Sequence, residues 1–375
     1  MRMLGLALKM LLDAPAKSMG TLVGVVVSVF LMSQQLSILL GILSLVSAFA
    51  DGTDADIWVA SAATENTDIT DSLPATRVAE VASTPGVAWA APVIQGMSRI
   101  TRPDGVRELV KVVGVEPPRY AGLARTLVDG TQRESLRGPA RVFLSWSARP
   151  AFAFPAPGER LEIDGKTAFV AGFFDKVDPH SSYTYVFANL DDARAYTQFP
   201  QDRITFVATG VSPGEDAVTV RQRLQARIPD ALVVTRGELS AMEVRHFLRR
   251  TPVGMVFGMG TAVAAFIGSV IVAITLYSSV VDRLRDYGTL KALGATRKDL
   301  VRLLLAQAWL FFAVGAGVGL LAFFFVKAHA PQAPMLAPPW MLAGVMAVSL
   351  TSCTLASLAA VRRALAIDPA IVFRG

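Results

Sequence analysis

Three groups of residues carry types that do chemistry. Gly165-Lys166-Thr167 ends like a phosphate-cradling P-loop, in which backbone amides and a lysine hold the phosphates. That loop needs another glycine five positions earlier, and Arg160 stands there. Asp164-Gly165, between the strand-like segments Arg160–Ile163 and Ala168–Gly172, is instead a two-residue hairpin signal. Asp178, His180, Ser181 and Ser182 fall within one short run and bring together hydrolase residue types. Sequence neighbours do not make a triad, no G-x-S-x-G elbow is present, and a surface turn accounts for the run. His246 and His329 are isolated, without H-E-x-x-H spacing. Cys353 is the sole cysteine, which excludes an intrachain disulfide and a cysteine-based metal site. The sequence thus predicts no catalytic, cofactor-binding or metal-binding residue in this chain. If ATP is used, another polypeptide binds it.

The remaining conspicuous residues are basic and lie in Asp282–Leu300, DRLRDYGTLKALGATRKDL. Arg283, Arg285, Lys291, Arg297, Lys298 and Arg302 outnumber Asp282, Asp286 and Asp299, and long apolar runs flank the stretch. A short basic loop between apolar runs reads as cytoplasmic. Gly294 is placed to stop one helix, and Thr296 with Asp299 makes a capping-box-like start for the next. The stretch is therefore expected to be a shaped helical corner, against the plainer reading of an ordinary connector.

Hydropathy supplies the frame. The chain has 375 residues, 53% of them hydrophobic, with a mean hydropathy of +0.46. Residues 1–18 resemble an amphipathic helix at the cytoplasmic interface. Apolar spans follow at 19–50, 251–281, 303–326 and 341–361, each long enough to cross a bilayer. Ala48-Phe49-Ala50 looks like a signal-peptidase site, but the apolar run is too long for a typical signal peptide, so an uncleaved span is expected. Asp51, Asp54 and Asp56 follow the first span and basic residues precede it, which places both termini inside. Residues 282–302 then form a cytoplasmic loop, 327–340 an outer loop and 362–375 a cytoplasmic tail. The net charge of +6 suits cytoplasmic flanks facing anionic lipid better than nucleic acid. The spans contain no Asp, Glu, Lys or Arg, whereas ion-coupled transporters keep ionisable groups in the bilayer. The driving energy must come from elsewhere.

Residues 51–250 read as an exported α/β domain. Ile57–Ala60 is a strand, Ser72-Leu73-Pro74 opens a helix that turns Val78 and Val81 inward, and Pro85-Gly86 ends it. Val87–Thr101 and Val106–Val115 form a hairpin across Arg102–Gly105. The order recurs as strand Ile204–Gly210, a helix over 214–228 opened by Ser212-Pro213, and strand Leu232–Thr235. Two β-α-β halves imply a split ferredoxin-like unit, with a β-rich insertion at about 139–190. Glu238–Arg250 reads as a helical stalk leading to the second span. Within the spans, Gly254, Gly258, Gly260, Ala264, Gly268, Gly315 and Gly319 recur at the four-residue spacing of close helix packing, within the chain or across a dimer.

Asp286-Tyr287-Gly288-Thr289-Leu290-Lys291-Ala292 with Gly294 resembles the E-Y-G-T-L-K-A-M-G loop of FtsX/MacB-type ABC-transporter permeases, and is most similar to the DevC-like four-span subgroup. Asp286 replaces a Glu and Leu293 a Met. Asp54-Ala55-Asp56-Ile57-Trp58-Val59 and the ending Ile367-Asp368-Pro369-Ala370 are similar too. The resemblance implies a non-enzymatic permease, fully membrane α-helical in its four spans, with a MacB-like periplasmic domain in the bacterial inner membrane. It implies a homodimer joined to ATPase subunits that bind ATP and magnesium. It also implies mechanotransmission, a membrane-fusion adaptor, an outer-membrane channel, and efflux of an amphiphilic or lipid-linked substrate. Arg285, Asp286, Tyr287, Gly288, Leu290, Lys291, Leu293, Gly294, Arg297 and Lys298 would then couple to the ATPase. Lys291, Arg297 and Lys298 would meet acidic groups there, and Tyr287, Leu290 and Leu293 would be apolar anchors. An FtsX-like activator of cell-wall hydrolases is the alternative, and lipoprotein release a variant of export.

Overall fold

The computed structural model describes residues 15–102, 105–152, 155–175, 183–282, 289, 294–330 and 333–365. The predicted interfacial helix, the Asp178–Ser182 run and the Ile367–Ala370 ending lie largely or wholly outside these residues. The chain divides into two compact units, Met1–Ile42 with Pro252–Gly375, and Leu43–Thr251.

The first unit is built from long apolar helices: α1 (Pro15–Val46), which ends in the second unit, α7 (Val253–Asp282), α8 (Arg297–His329) and α9 (Pro339–Leu365). Each contains a stretch long and apolar enough to cross a membrane. Val29, Val272, Leu304, Ala308 and Val345 are among the side chains buried where these helices meet. The third helix begins six residues before the apolar run at Leu303, because the Thr296 capping box starts it at Arg297. The first apolar run does not continue as one helix to Ala50. It breaks at Ser47, and a short helix α2 (Ala48–Gly52) follows.

The second unit contains β1 (Ile57–Ser61), β2 (Leu73–Pro74), α3 (Arg77–Ala82), β3 (Val87–Thr101), β4 (Arg107–Val115), β5 (Thr126–Val128), β6 (Arg141–Ser145), β7 (Arg160–Ile163), β8 (Lys166–Asp175), β9 (Thr184–Asn189), α4 (Leu190–Thr197), β10 (Arg203–Ile204), β11 (Phe206–Val211), α5 (Ala217–Arg227), β12 (Ala231–Thr235) and α6 (Arg236–Arg250). Strands β12, β1, β11 and β3 lie in that order, each antiparallel to the next. With α3 and α5 as crossovers, this is the ferredoxin-like arrangement expected from the two β-α-β halves.

The inserted strands continue the same sheet. Beyond β3 come β4, β9, β6 and β8, and β7 pairs with both β8 and β3. Six strands therefore close into a ring, which covers edges that would otherwise stay open. Ile100, Val110, Val142, Leu161, Val170 and Val186 are buried in a common core. Asp164 and Gly165, at φ 50° and 75°, make the predicted two-residue turn between β7 and β8.

Side chains alternate between two buried faces in β1. Ile57 and Val59 join the core that includes Val81 of α3 and Val220 and Leu224 of α5. Trp58 and Ala60 join the core that includes Phe49 of α2 and Leu239 of α6. Two predicted helix starts move. Leu73-Pro74 pairs with Arg203-Ile204 as a short strand, so α3 begins after Thr76 rather than at Ser72. The Asp216 carboxylate accepts the Thr219 amide, so α5 begins there and not at Ser212-Pro213. The stalk helix starts at Arg236, capped by Thr235 and Glu238, and closes at Thr251 before Pro252.

Candidate functional site

The basic corner is described at its second half. Gly294 has φ +95°, the left-handed conformation that a helix-stopping glycine adopts, and an added Cβ would meet nothing within 4 Å. The constraint there is conformational, not steric. Thr296 and Asp299 exchange both capping-box bonds: the Thr296 amide donates to Asp299 Oδ2 at 3.0 Å and the Asp299 amide to Thr296 Oγ1 at 3.3 Å. Arg297 and Lys298 stand exposed on the first turn of α8. Cations at a helix N-terminus oppose its dipole, so their placement is locally unfavourable and would be relieved by a facing carboxylate. Arg285, Asp286, Tyr287, Gly288, Leu290, Lys291 and Leu293 lie outside the described residues.

The small residues of the spans divide into two sets. A Cβ on Gly268 would fall 2.4 Å from Ser28 Oγ, one on Gly315 2.6 Å from Val25 Cγ1, and one on Gly319 2.9 Å from the Val26 carbonyl. Gly260 faces Gln35 at 3.1 Å, and Ala264 is buried. Ser28 donates to the Ala264 carbonyl at 2.7 Å, a buried bond between α1 and α7. These residues let α1 approach α7 and α8 within one chain. Gly258 is exposed with open space around it, and Gly254 is half-buried.

A second constellation lies in the Leu43–Thr251 unit, where both crossings of the chain from the first unit enter. Asp51 of α2 accepts bonds from Ser47 at 2.7 Å and from Ser240 of α6 at 3.0 Å. Asp54 accepts the Gly122 amide and pairs with Arg133 at 3.2 Å. Asp56 pairs with Arg236 at 2.9 Å and accepts the Val211 amide at 3.1 Å, while Arg236 donates twice to the Ala55 carbonyl. Burial, then the charge of Arg125, holds the Arg236 guanidinium pKa below its ordinary value. Trp58 packs on Phe49 and Phe206 at 5.3 and 5.7 Å between ring centres. The segments that enter and leave this unit are thereby fastened to one another and to β1. Sequence reading took the three aspartates as a topological signal, and Asp54 and Asp56 also as part of a family similarity, but gave no partners for them; these lie as much as 189 residues away.

Further along α6, Glu243 is buried and accepts the Thr67 amide at 2.6 Å. Buried Lys111 of β4 donates to the Thr67 carbonyl and pairs with Asp68. Burial pushes the Glu243 carboxyl up to about 7, and the nearby Asp68 charge adds to the rise. His246 and Arg250 reach Glu65 at 3.7 and 3.4 Å. One face of α6 is thus fastened to the loop at 64–68.

Comparison with known proteins bears on both units. Residues 18–227, more than half of the chain, match the MacB-like periplasmic core domain, and residues 258–369 match the FtsX-like permease C-terminal domain. An uncharacterised ABC transporter permease of Mycobacterium tuberculosis is 25% identical over 300 residues, covering 79% of this chain and 77% of the relative. An uncharacterised ABC transporter permease of Methanocaldococcus jannaschii is 25% identical over 170 residues, covering 44% and 41%. Among solved structures, the periplasmic region of MacB from Actinobacillus actinomycetemcomitans aligns with a TM-score of 0.39 at 10% identity, over 51% of this chain and 94% of that one. The extracellular domain of the transporter YknZ from Gram-positive bacteria aligns with a TM-score of 0.35 at 12% identity, over 48% and 100%.

Proposed function

The chain belongs to the MacB/FtsX-type ABC transporter permeases, and on that premise we propose that it is the membrane subunit of an ATP-driven exporter working by mechanotransmission. As a permease of this type it is a multi-pass membrane protein, a transporter subunit and not an enzyme, and it requires an ATPase partner. In the proposed assembly two copies sit in the bacterial inner membrane with both termini inside and the Leu43–Thr251 unit in the periplasm. A membrane-fusion adaptor and an outer-membrane channel complete the path, as in the DevC-like subgroup. The ATPase subunits bind ATP and magnesium.

The observation that carries this reading is the fastening of α2, β1 and α6 around Asp51, Asp54, Asp56 and Arg236. Displacement of either connecting segment is passed to the other and to the sheet, as mechanical transmission requires. The uncharged spans agree, since they offer no relay for an ion gradient. Arg297 and Lys298, unfavourably placed on their own helix, supply contacts for an acidic groove of the ATPase. An apolar groove of about 260 Å³ between α1, α7 and α9, lined by Met32, Leu36, Thr261, Trp340 and Val345, suits an amphiphilic or lipid-linked substrate.

The test is a mild-detergent pull-down of the full chain from its native membranes, with co-purifying proteins identified. An ATPase together with a periplasmic adaptor supports the exporter. An ATPase with a cell-wall hydrolase replaces export by hydrolase activation. Absence of any ATPase, under conditions that preserve other complexes, overturns the coupling role of the 282–302 corner.

A further inference from the structure

The outside of the strand ring carries a feature that the mechanical reading does not use. Arg141 of β6 is in register with Phe169 of β8, and Phe169 is in register with Arg160 of β7. Side chains directly opposite one another on neighbouring strands share a face, so a phenyl ring stands between two guanidinium-bearing residues on adjacent strands. All three are exposed, Phe169 to 42%, whereas the flanking Val142, Leu161, Ala168 and Val170 point into the core. Phe169 is thus an exposed apolar ring flanked on both neighbouring strands by arginines.

Arg141 and Phe169 line a cleft of about 530 Å³ together with Ser135, Pro139 and Gly158. That volume falls within the roughly 300–1,000 Å³ of small-molecule sites. One wall is a strained turn: Gly138 and Ala140 have φ 111° and 58°. The turn is held by Asn189, which donates to the Gly138 carbonyl at 2.8 Å, and by Asp192, which accepts the Ala140 amide at 2.7 Å. Non-glycine residues at positive φ persist only where their surroundings over-determine them. Arg141 donates to the Ser135 carbonyl at 3.2 Å, and among the described residues neither Arg141 nor Arg160 is joined to a carboxylate. Glu159, beside Gly158, is turned onto the Ala156 amide at 3.0 Å.

We propose that this cleft binds an anionic amphiphile, with its phosphate or carboxylate on Arg141 and its apolar stem against Phe169, while Arg160, in register on the other side of Phe169 and outside the cleft's lining, adds positive charge beside it. The guanidinium forks match an oxyanion, and the exposed ring supplies the apolar contact. The binding proposal stands without the export reading, which decides only whether the ligand is cargo.

The test uses the full chain in nanodiscs of neutral lipid, with radiolabelled octyl phosphate in equilibrium dialysis and empty nanodiscs as the partition control. Saturable binding above the control is expected, at least about tenfold weaker in the R141Q/R160Q double variant, the size of losing a charge-assisted bond. Phe169→Ser is expected to weaken it as well. Octyltrimethylammonium should show no saturable binding. Both variants change exposed side chains, and unchanged thermal melts confirm their fold. No saturable binding, or equal binding by the double variant, overturns the proposal. Inorganic phosphate binding as tightly as octyl phosphate overturns the amphiphile assignment, and an acidic peptide displacing octyl phosphate at far lower concentration reassigns the cleft to a protein segment.

Discussion

Replacing Glu243 by Gln should remove a pH dependence built into the fastening of α6. Glu243 is 5% exposed and its carboxyl pKa is raised from 4.5 to about 7, chiefly by burial. Because the folded value lies above the unfolded one, the associated stability is fully present below about 4.5 and is lost as pH rises through about 7. At about 1.4 kcal/mol per pKa unit, the whole loss is on the order of 3 kcal/mol. The measurement is hydrogen exchange of peptides covering 62–71 and α6, in the full chain, corrected for intrinsic rates. In the wild type, protection should fall roughly a hundredfold between pH 5 and 8.5. Glu243→Gln keeps an acceptor for the Thr67 amide and carries no charge, so its profile should be much flatter and its protection at pH 8.5 higher than wild type. The full wild-type slope in E243Q would refute the assignment of the raised pKa to this buried carboxylate.

Gly294→Val places a β-branched residue at φ +95° and should cost about 1–2 kcal/mol locally; ATPase stimulation by the permease should drop while membrane insertion is kept, and normal stimulation and export would sink the coupling role. Gly268→Leu must displace Ser28, 2.4 Å from the added Cβ, and should lower the yield of folded protein. Gly258→Leu meets open space, so it should leave the single chain intact and alter only the dimer fraction, as read by native mass spectrometry. Asp56→Ala strands the Val211 amide and Arg236 and should destabilise the Leu43–Thr251 unit by about 1–3 kcal/mol in thermal unfolding. Arg236→Lys should fail to preserve the fastening, because one ammonium does not reproduce the fork reaching both Ala55 and Asp56.

Features set by near neighbours were legible in the sequence. Asp164-Gly165 and Thr296 with Asp299 needed only a few adjacent residues to specify turn and cap. Gly294 belongs with them, since only its own backbone angle is at stake. Helix starts failed where several capping types lie within one turn. Ser72 lost to Thr76 because Leu73 pairs with Ile204, a partner no local pattern reveals. Ring closure was invisible for the same reason: Ile100 meets Ile163 across three intervening strands of sequence. Glu243 carries no local signal within the Glu238–Arg250 stalk, because its partner Thr67 lies far off in sequence. The periodicity of small residues gave the close packing of the spans, but not which of them serve the chain itself.

The aspartates after the first span show how one set of residues can satisfy two constraints. Negative charge beyond a span suits the outer side, yet acidic residues contribute little to orientation compared with the basic residues that precede it. Orientation alone would not require Asp51, Asp54 and Asp56 to find Ser240, Arg133 and Arg236. Nor would it require Trp58 to be fully buried against Phe49 and Phe206. These contacts determine how stiffly the segment leaving α1 is held to α6, the helix that leads to α7. The Asp54–Val59 similarity therefore has its physical basis in contacts that fix this segment to β1 and α6 within the Leu43–Thr251 unit.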